Sequence, residues 1–397
     1  LNILLFIHNQ VNTGQYVKAL EMGQALAGRG HNVHLFCTSG KARVCSKSYK
    51  MYDVNIVEFP DLLWGRLRQG IDFWNTLRRV VYLNKINIDI VHAIDCRPVV
   101  ILPSLFLKRV KKIPLVISWW DQFGRGGTAL ERYGQFYDLT LGRIETFFEE
   151  YFRKYADRAS TISHTLRRRL VALNYPESRI EVIKVGCDTE KYKPVEKTAV
   201  RKKLGLDANT RILCYAGKLF KRDLALLVSS LEEVKKRQRL PTTILIGEQS
   251  LSNEISSRLN IIMTGPLKTY DLVHEYLCAS DFGLVPMKAS EANMSRWPSK
   301  ISDYLAAGLP IVATPISDLP QVFEQRRIGY LSVDDSINSF SKALCDALDT
   351  DLTLYKKLSV EARTFAEEEL DWQVIAKRLE KLYMQTLCSG VHPSIAQ

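Results

Sequence analysis

Short apolar runs alternate with longer stretches of helical period along almost the whole chain. In the first half the runs cover residues 2–8, 32–37, 54–59, 89–94, 114–119, 159–163 and 180–185. In the second they cover 212–216, 243–246, 261–264, 282–285, 311–313 and 330–333. Such runs suit parallel strands buried on both faces. Between the first two, Tyr16, Ala19, Leu20, Gly23, Leu26 and Ala27 form one stripe at helical spacing and predict a helix running to about Gly28. The alternation pauses at Gly186-Cys187-Asp188 and Tyr192-Lys193-Pro194, then restarts. Two successive βα arrays predict an α/β protein of two Rossmann-like domains, residues 1–188 and 189–370, with parallel sheets facing across a cleft. A closing helix over 371–388 carries Trp372, Ile375, Ala376, Leu379, Leu382 and Tyr383 on one side, and 389–397 reads as a frayed tail.

Open α/β sheets bind ligands beyond the carboxyl ends of their strands, so the loops there hold the candidate chemistry. The stretch from Arg296 to Thr314 is the most informative. Pro298 suits a first helical position and Gly308 the residue just past the end, predicting a short helix from Pro298 to Ala307 before the strand at 311–313. Ser299 and Lys300 fall in its first turn, where unpaired N–H groups and the macrodipole favour an anion. Asp303 lies one turn on, placed to accept from sugar hydroxyls. A phosphate at the helix end and a ribose at the carboxylate is one reading; a capped helix with Lys300 and Asp303 paired on a wet surface is the other. Gly14, after the first strand, is a point of close backbone approach or a plain turn. The loop Trp120-Asp121-Gln122-Phe123-Gly124-Arg125-Gly126-Gly127 follows another strand, and Asp121 is either catalytic or a turn cap.

Composition narrows the classes. The chain has 397 residues, 46% hydrophobic and 25% charged, as in a globular protein of two ordinary domains. Its eight cysteines are scattered without a Cys-x-x-Cys pair or zinc spacing, which predicts no metal site and a cytoplasmic setting. No apolar run reaches bilayer length and the first residues read as a strand, so neither a transmembrane helix nor a signal peptide is expected. The net charge of +12 is spread over clusters such as Arg66, Arg68, Arg78 and Arg79, and Arg167, Arg168 and Arg169. With no zinc-finger or RNA-binding motif beside them, nucleic acid is not expected as a partner. Residues 62–83 combine Trp64, Phe73, Trp74, Leu77, Val80 and Val81 with four arginines. They suit either a helix lying on an anionic membrane surface or a core-facing helix with snorkelling arginines.

The order and spacing of these pieces resemble a group 1 (family 4) glycosyltransferase of the GT-B fold over nearly the whole length. The resemblance rests on Gly14, Gly30-His31-Asn32-Val33, Asp89-Ile90-Val91-His92-Ala93, Ala156-Asp157 and Ile180-Glu181-Val182-Ile183 leading to Gly186. In the second half it rests on Tyr215-Ala216-Gly217-Lys218-Leu219, Gly265-Pro266-Leu267, Ala279-Ser280-Asp281 and the stretch ending Gly308-Leu309-Pro310. It implies retaining transfer of a sugar from a nucleotide-sugar, a UDP-sugar favoured, to a lipid-linked or glycan acceptor. The acceptor belongs to the first domain and the donor to the second, and the closing helix crosses back to the first. Gly217, Lys218 and either Lys221 or Arg222 then serve the diphosphate with Ser299 and Lys300. Gly265 and Leu267 hold the base and Asp303 the ribose, with no obligatory metal or cofactor. Front-face displacement in a closed cleft follows, with Asp121, Lys218 and Arg222 the catalytic candidates. Three departures stand out. Asp303 stands where the family often has the second of two glutamates eight apart, shorter but with the charge kept. Ser295 occupies a position where the family often has glutamate, with Glu291 nearby, and Trp120-Asp121 replaces a frequent histidine. They leave a catalytically impaired binding subunit, or a sugar-nucleotide epimerase, as alternatives.

Overall fold

The computed structural model describes residues 1–63, 70–237 and 240–389. The chain divides into two compact units: residues 1–186 together with the helix that begins at Trp372, and residues 187–371.

The first unit is built on an eight-stranded sheet. Its strands are β1 (Asn2–Gln10), β2 (Asn32–Thr38), β3 (Lys47–Met51), β4 (Val54–Phe59), β5 (Ile90–Ile94), β6 (Leu115–Trp119), β7 (Arg158–Thr161) and β8 (Ile180–Val182), in the order β3-β4-β2-β1-β5-β6-β7-β8. β1 is central because Ile3 to Ile7 are all buried, and it pairs in parallel with β2 on one side and β5 on the other. β3, missed by the sequence reading, pairs antiparallel with β4 at the edge. It exposes Lys47, Ser48, Lys50 and Met51, so it has no apolar face to read, and its lysines suit a strand that must not recruit another.

The basic segment is corrected by the structure. Trp64, Arg66 and Arg68 lie outside the described residues. Helix Phe73–Tyr82 buries Asn75, Thr76 and Arg79 and turns Phe73, Leu77 and Val81 outward. Arg79 donates through Nε to Asn75 Oδ1 at 2.7 Å and lies 5.3 Å from the Phe59 ring centre, so it is an interior cation and not part of an outer basic face.

Helix Trp372–Ser389 packs on helix Gly14–Gly28, and Trp372 Nε1 donates to Glu21 Oε2 at 2.9 Å. Tyr383 meets His92 Nδ1 at 2.7 Å, and burial pushes that imidazole down to about 3, leaving it neutral. Tail residues 390–397 lie outside the described residues.

The second unit has a six-stranded, all-parallel sheet. Its strands are β9 (Ile212–Ala216), β10 (Thr242–Ile246), β11 (Ile261–Gly265), β12 (Phe282–Val285), β13 (Ile311–Ala313) and β14 (Gly329–Leu331), ordered β11-β10-β9-β12-β13-β14. Helix Lys221–Lys236 fills one face with Leu224, Leu227, Leu231 and Val234 against Phe340 and Leu344 of helix Ile337–Leu348. On β12 only glycine fits position 283, where a Cβ would stand 2.4 Å from the Tyr304 ring. Tyr304 is held there by its hydroxyl, which accepts from Ala216 N at 2.7 Å. Gly283→Ala is expected to lose about 1–3 kcal/mol through overpacking, read as a lower urea midpoint at unchanged slope. Among the described residues no helix is long and apolar enough to cross a membrane.

Candidate functional site

In a doubly wound sheet a ligand site forms where the strand order reverses. In the second unit this is between β9 and β12. β9 ends at Ala216, and Gly217 follows at φ 105°, a left-handed conformation that lets the chain turn sharply over the sheet edge. Gln249 braces the turn, donating to Gly217 O at 2.5 Å and accepting from Leu219 N at 3.2 Å. Helix Lys221–Lys236 then starts with no side chain capping its first N–H groups.

The predicted helix is present as Ser299–Ala306, with one correction. Pro298 is the capping residue, at φ −61° and ψ 118°, and not the first helical one. No side chain caps this helix either, so the first-turn N–H groups keep their capacity for an anion. Lys300 reaches from that turn to the loop after β9. Its Nζ donates to the Tyr215 hydroxyl, lies 3.7 Å from the Tyr215 ring centre, and would stand 3.5 Å from a Cβ at Gly217. Burial pushes the ammonium down to about 7, Arg296 adds to the fall, and Asp223 and Asp303 oppose it. A half-buried cation kept beside Arg296, Asp223 and Asp303 is poised to gain from a dianion.

Asp303 is buried, and its Oδ2 accepts from the Tyr270 hydroxyl at 2.6 Å, so the wet-surface pairing with Lys300 is not what the structure contains. Lys218, Lys221 and Arg222 stand exposed around the start of helix Lys221–Lys236, Lys218 being 4.0 Å from Glu248. Gly265 ends β11, with its carbonyl accepting from Gly247 N at 3.0 Å, and Leu267 is half-buried just beyond. Ser299 is half-buried in the first turn. Glu291 is exposed at the start of helix Glu291–Ser295, whereas Ser295 is buried and donates to Ala292 O at 3.0 Å. The lysine, the glycine turn and the carboxylate helix therefore come together. Gln249 and Tyr270, which hold the glycine turn and Asp303, and Asp223 beside Lys300 were not singled out in the sequence, and Tyr215 stood there only within a strand motif.

In the first unit the order reverses between β1 and β5. Gly14 is the first residue of helix Gly14–Gly28, with open space where a Cβ would be. The next residue is tied to the sequence-predicted carboxylate: Gln15 Nε2 donates to Asp121 Oδ2 at 2.7 Å while Gln15 Oε1 accepts from Asn9 at 2.6 Å. Asp95, immediately after β5, was missed. Its backbone adopts φ 62°, and its Oδ1 accepts from Trp120 N at 2.8 Å and Asp121 N at 3.4 Å, fixing the start of the loop. Burial pushes the Asp95 carboxyl up to about 7 against the pull of Arg153, and the Asp121 carboxylate adds to the rise. Glu149 secures the other end, accepting from Trp119 Nε1 at 2.9 Å, Phe123 N at 2.9 Å and Gly124 N at 2.7 Å.

Comparison with known proteins gives concordant matches. Residues 13–191 match the model of Glycosyltransferase Family 4 and residues 210–350 that of Glycosyl transferases group 1. The N-acetyl-alpha-D-glucosaminyl L-malate synthase of Bacillus anthracis is 22% identical over 399 residues, 94% of each chain. Among solved structures, sucrose-phosphate synthase from Thermosynechococcus elongatus superposes with a TM-score of 0.75 at 15% identity, over 98% of this chain and 99% of that one. Anabaena HepE, in complex with UDP and glucose, gives 0.68 at 13% identity, over 97% and 99%.

Proposed function

From the premise that this chain belongs to the group 1 glycosyltransferases of the GT-B fold, we propose that its second unit holds the nucleoside-diphosphate part of a sugar donor. The single observation that carries the reading is Lys300, set at an uncapped helix N-terminus against the glycine turn after β9. The diphosphate lies across that turn and helix end, with Lys218, Lys221 and Arg222 adding exposed positive charge. The base lies by Gly265 and Leu267, and the ribose hydroxyls donate to Asp303. A UDP-sugar is the favoured donor, in keeping with the UDP seen in Anabaena HepE.

Transfer proceeds with retention. The bond from the sugar's anomeric carbon to the diphosphate breaks while the acceptor oxygen bonds to the same face, and the acceptor's proton passes to the departing phosphate oxygen. No side chain must act as a strong base, so fixed cations that stabilise the leaving diphosphate supply most of the catalysis. Asp121, oriented by Gln15 and by the backbone tether to Asp95, belongs to the first unit and positions a hydroxyl there. That unit takes the acceptor, lipid-linked or glycan.

Thermal unfolding with UDP, GDP, ADP and their sugar conjugates tests the donor assignment. A ligand at about 100 times its dissociation constant adds roughly 2.7 kcal/mol and raises the melting temperature. UDP-sugar is expected to stabilise the wild type. Asp303→Ala, losing charged hydrogen bonds worth about 1.5–3 kcal/mol, should need about 10- to 100-fold more ligand for the same shift. Equal shifts in wild type and variant would remove Asp303 from the site.

A further inference from the structure

Helix Leu141–Tyr151 is inside out. Its acids Glu145 and Glu149 are buried, while Leu141, Ile144 and Phe147 are 43%, 51% and 50% exposed. The reversal has a cause in the fold. Glu145 pairs with the buried Arg97 at 2.9 Å, and Glu149 is consumed by Trp119 Nε1 and the backbone of Phe123 and Gly124. Helix Thr128–Leu139 packs against it and turns Phe136 outward at 83% exposure. Every exposed phenylalanine and tyrosine among the described residues lies in this first unit. On the second helix Phe147 stacks on Tyr151 with ring centres 5.0 Å apart, and exposed apolar surface of this kind marks an interaction site.

Charge selects the partner. Sequestering Glu145 and Glu149 removes acid from the face, and Glu150 is ion-paired with Arg169 at 2.6 Å. Arg143 and Lys154 remain exposed beside the apolar residues, with Lys154 Nζ 3.7 Å from the Tyr151 ring centre, and Arg109 lies 5.0 Å from the Tyr155 ring centre. A second copy docked through the same face would set these cations against themselves. Apolar and aromatic side chains rimmed by cations match an anionic lipid interface.

We infer that the outer face of helices Thr128–Leu139 and Leu141–Tyr151 docks on an anionic membrane surface. Because the inner face of the second helix holds the loop from Trp119 to Gly124 through Glu149, docking presents the Asp121 loop to an acceptor carried in that membrane. The acceptor part of this inference rests on the proposed function; the docking itself does not.

Flotation with vesicles of phosphatidylcholine containing about 30% phosphatidylglycerol tests it, with pure phosphatidylcholine alongside. The wild type is expected to float with the anionic vesicles only and to be released by high salt. Combining Phe136→Ser, Ile144→Ser and Phe147→Ser should cut the floated fraction about 10-fold or more, with the same melting temperature and the same shift by UDP. Arg143→Glu with Lys154→Glu should abolish the preference for anionic vesicles. A wild type that stays at the bottom, or a serine variant that floats equally well, overturns the inference. So does a wild-type dimer that the serine substitutions dissociate, since the face then belongs to a second copy. Loss of the UDP shift in the wild type counts against the donor site and leaves the docking result standing.

Discussion

Lys300→Met is expected to cut sugar transfer by about 10²- to 10³-fold, the usual cost of removing one fixed electrostatic partner of a developing anion. Methionine keeps an unbranched apolar side chain and leaves no charge to bury, so the variant should fold at least as stably as the wild type at pH 6. The sign follows from the lowered pKa. A lysine at about 7 in the folded protein and near its usual value when unfolded binds fewer protons folded than unfolded between those values. Its burial therefore weighs against stability below pH 7, and stability rises as pH climbs from about 7 towards about 10. Catalysis runs the other way. The unliganded site loses its cation as pH passes about 7, so kcat/KM should fall on that alkaline limb. Lys300→Met should lack the limb, and Lys300→Arg should move it beyond the measurable range. Initial rates of nucleoside-diphosphate release from pH 6 to 9 check both. An unchanged alkaline limb in Lys300→Met would assign the titration to another group.

Asp281→Ala is expected to remove about 3–5 kcal/mol of stability, the cost of stranding a buried cation. Asp281 is buried just before β12. Its Oδ2 accepts from Arg201 Nη2 and from Ile212 N, both at 2.8 Å, and its Oδ1 pairs with Lys197 at 2.8 Å. Arg201, itself buried, also donates to the carbonyls of Ala279 at 2.8 Å and Ala208 at 2.9 Å, so this pair staples helix Lys197–Leu204 to the start of β9 and β12. Burial would raise the Asp281 carboxyl, but Lys197, Ile212 N and Arg201 hold it below the usual range. The linkage is that of a depressed acid: its contribution is full above the unfolded carboxyl value, about 3.9, and is lost as pH falls through the lower folded value. Urea unfolding at pH 7 should show the whole deficit, narrowing between wild type and variant below pH 4.

Much of the second unit was legible because its strands are short, apolar and two-faced. β9, β12 and β13 begin and end where the hydrophobic runs do. The Pro298–Gly308 bracket marked the helix that carries Lys300, since proline and glycine act through backbone geometry that sequence displays directly. The partners of Lys300 were not legible. Tyr215 stood only within a strand motif, and Asp223 was not singled out, although it accepts from Lys288 N at 2.8 Å. In the first unit Asp95 stood in plain view after a strand, yet its left-handed backbone and its hold on Trp120 are long-range facts. Helix Phe73–Tyr82 misled in the same way: Asn75 donates to Pro60 O at 2.9 Å and accepts from Arg79 at 2.7 Å, so its polar residues face inward while Phe73, Leu77 and Val81 face outward.

Calorimetric titration of the full chain with UDP at pH 7.5, in two buffers of different ionisation enthalpy, tests the assignment of Lys300 as the diphosphate cation most directly. Binding is predicted to draw a proton from the buffer, because a dianion beside Lys300 restores the ammonium that burial disfavours. The apparent enthalpy should therefore differ between buffers for the wild type and coincide for Lys300→Met, which should also bind more weakly. UDP binding with no proton uptake, or with equal affinity in the two proteins, would contradict it.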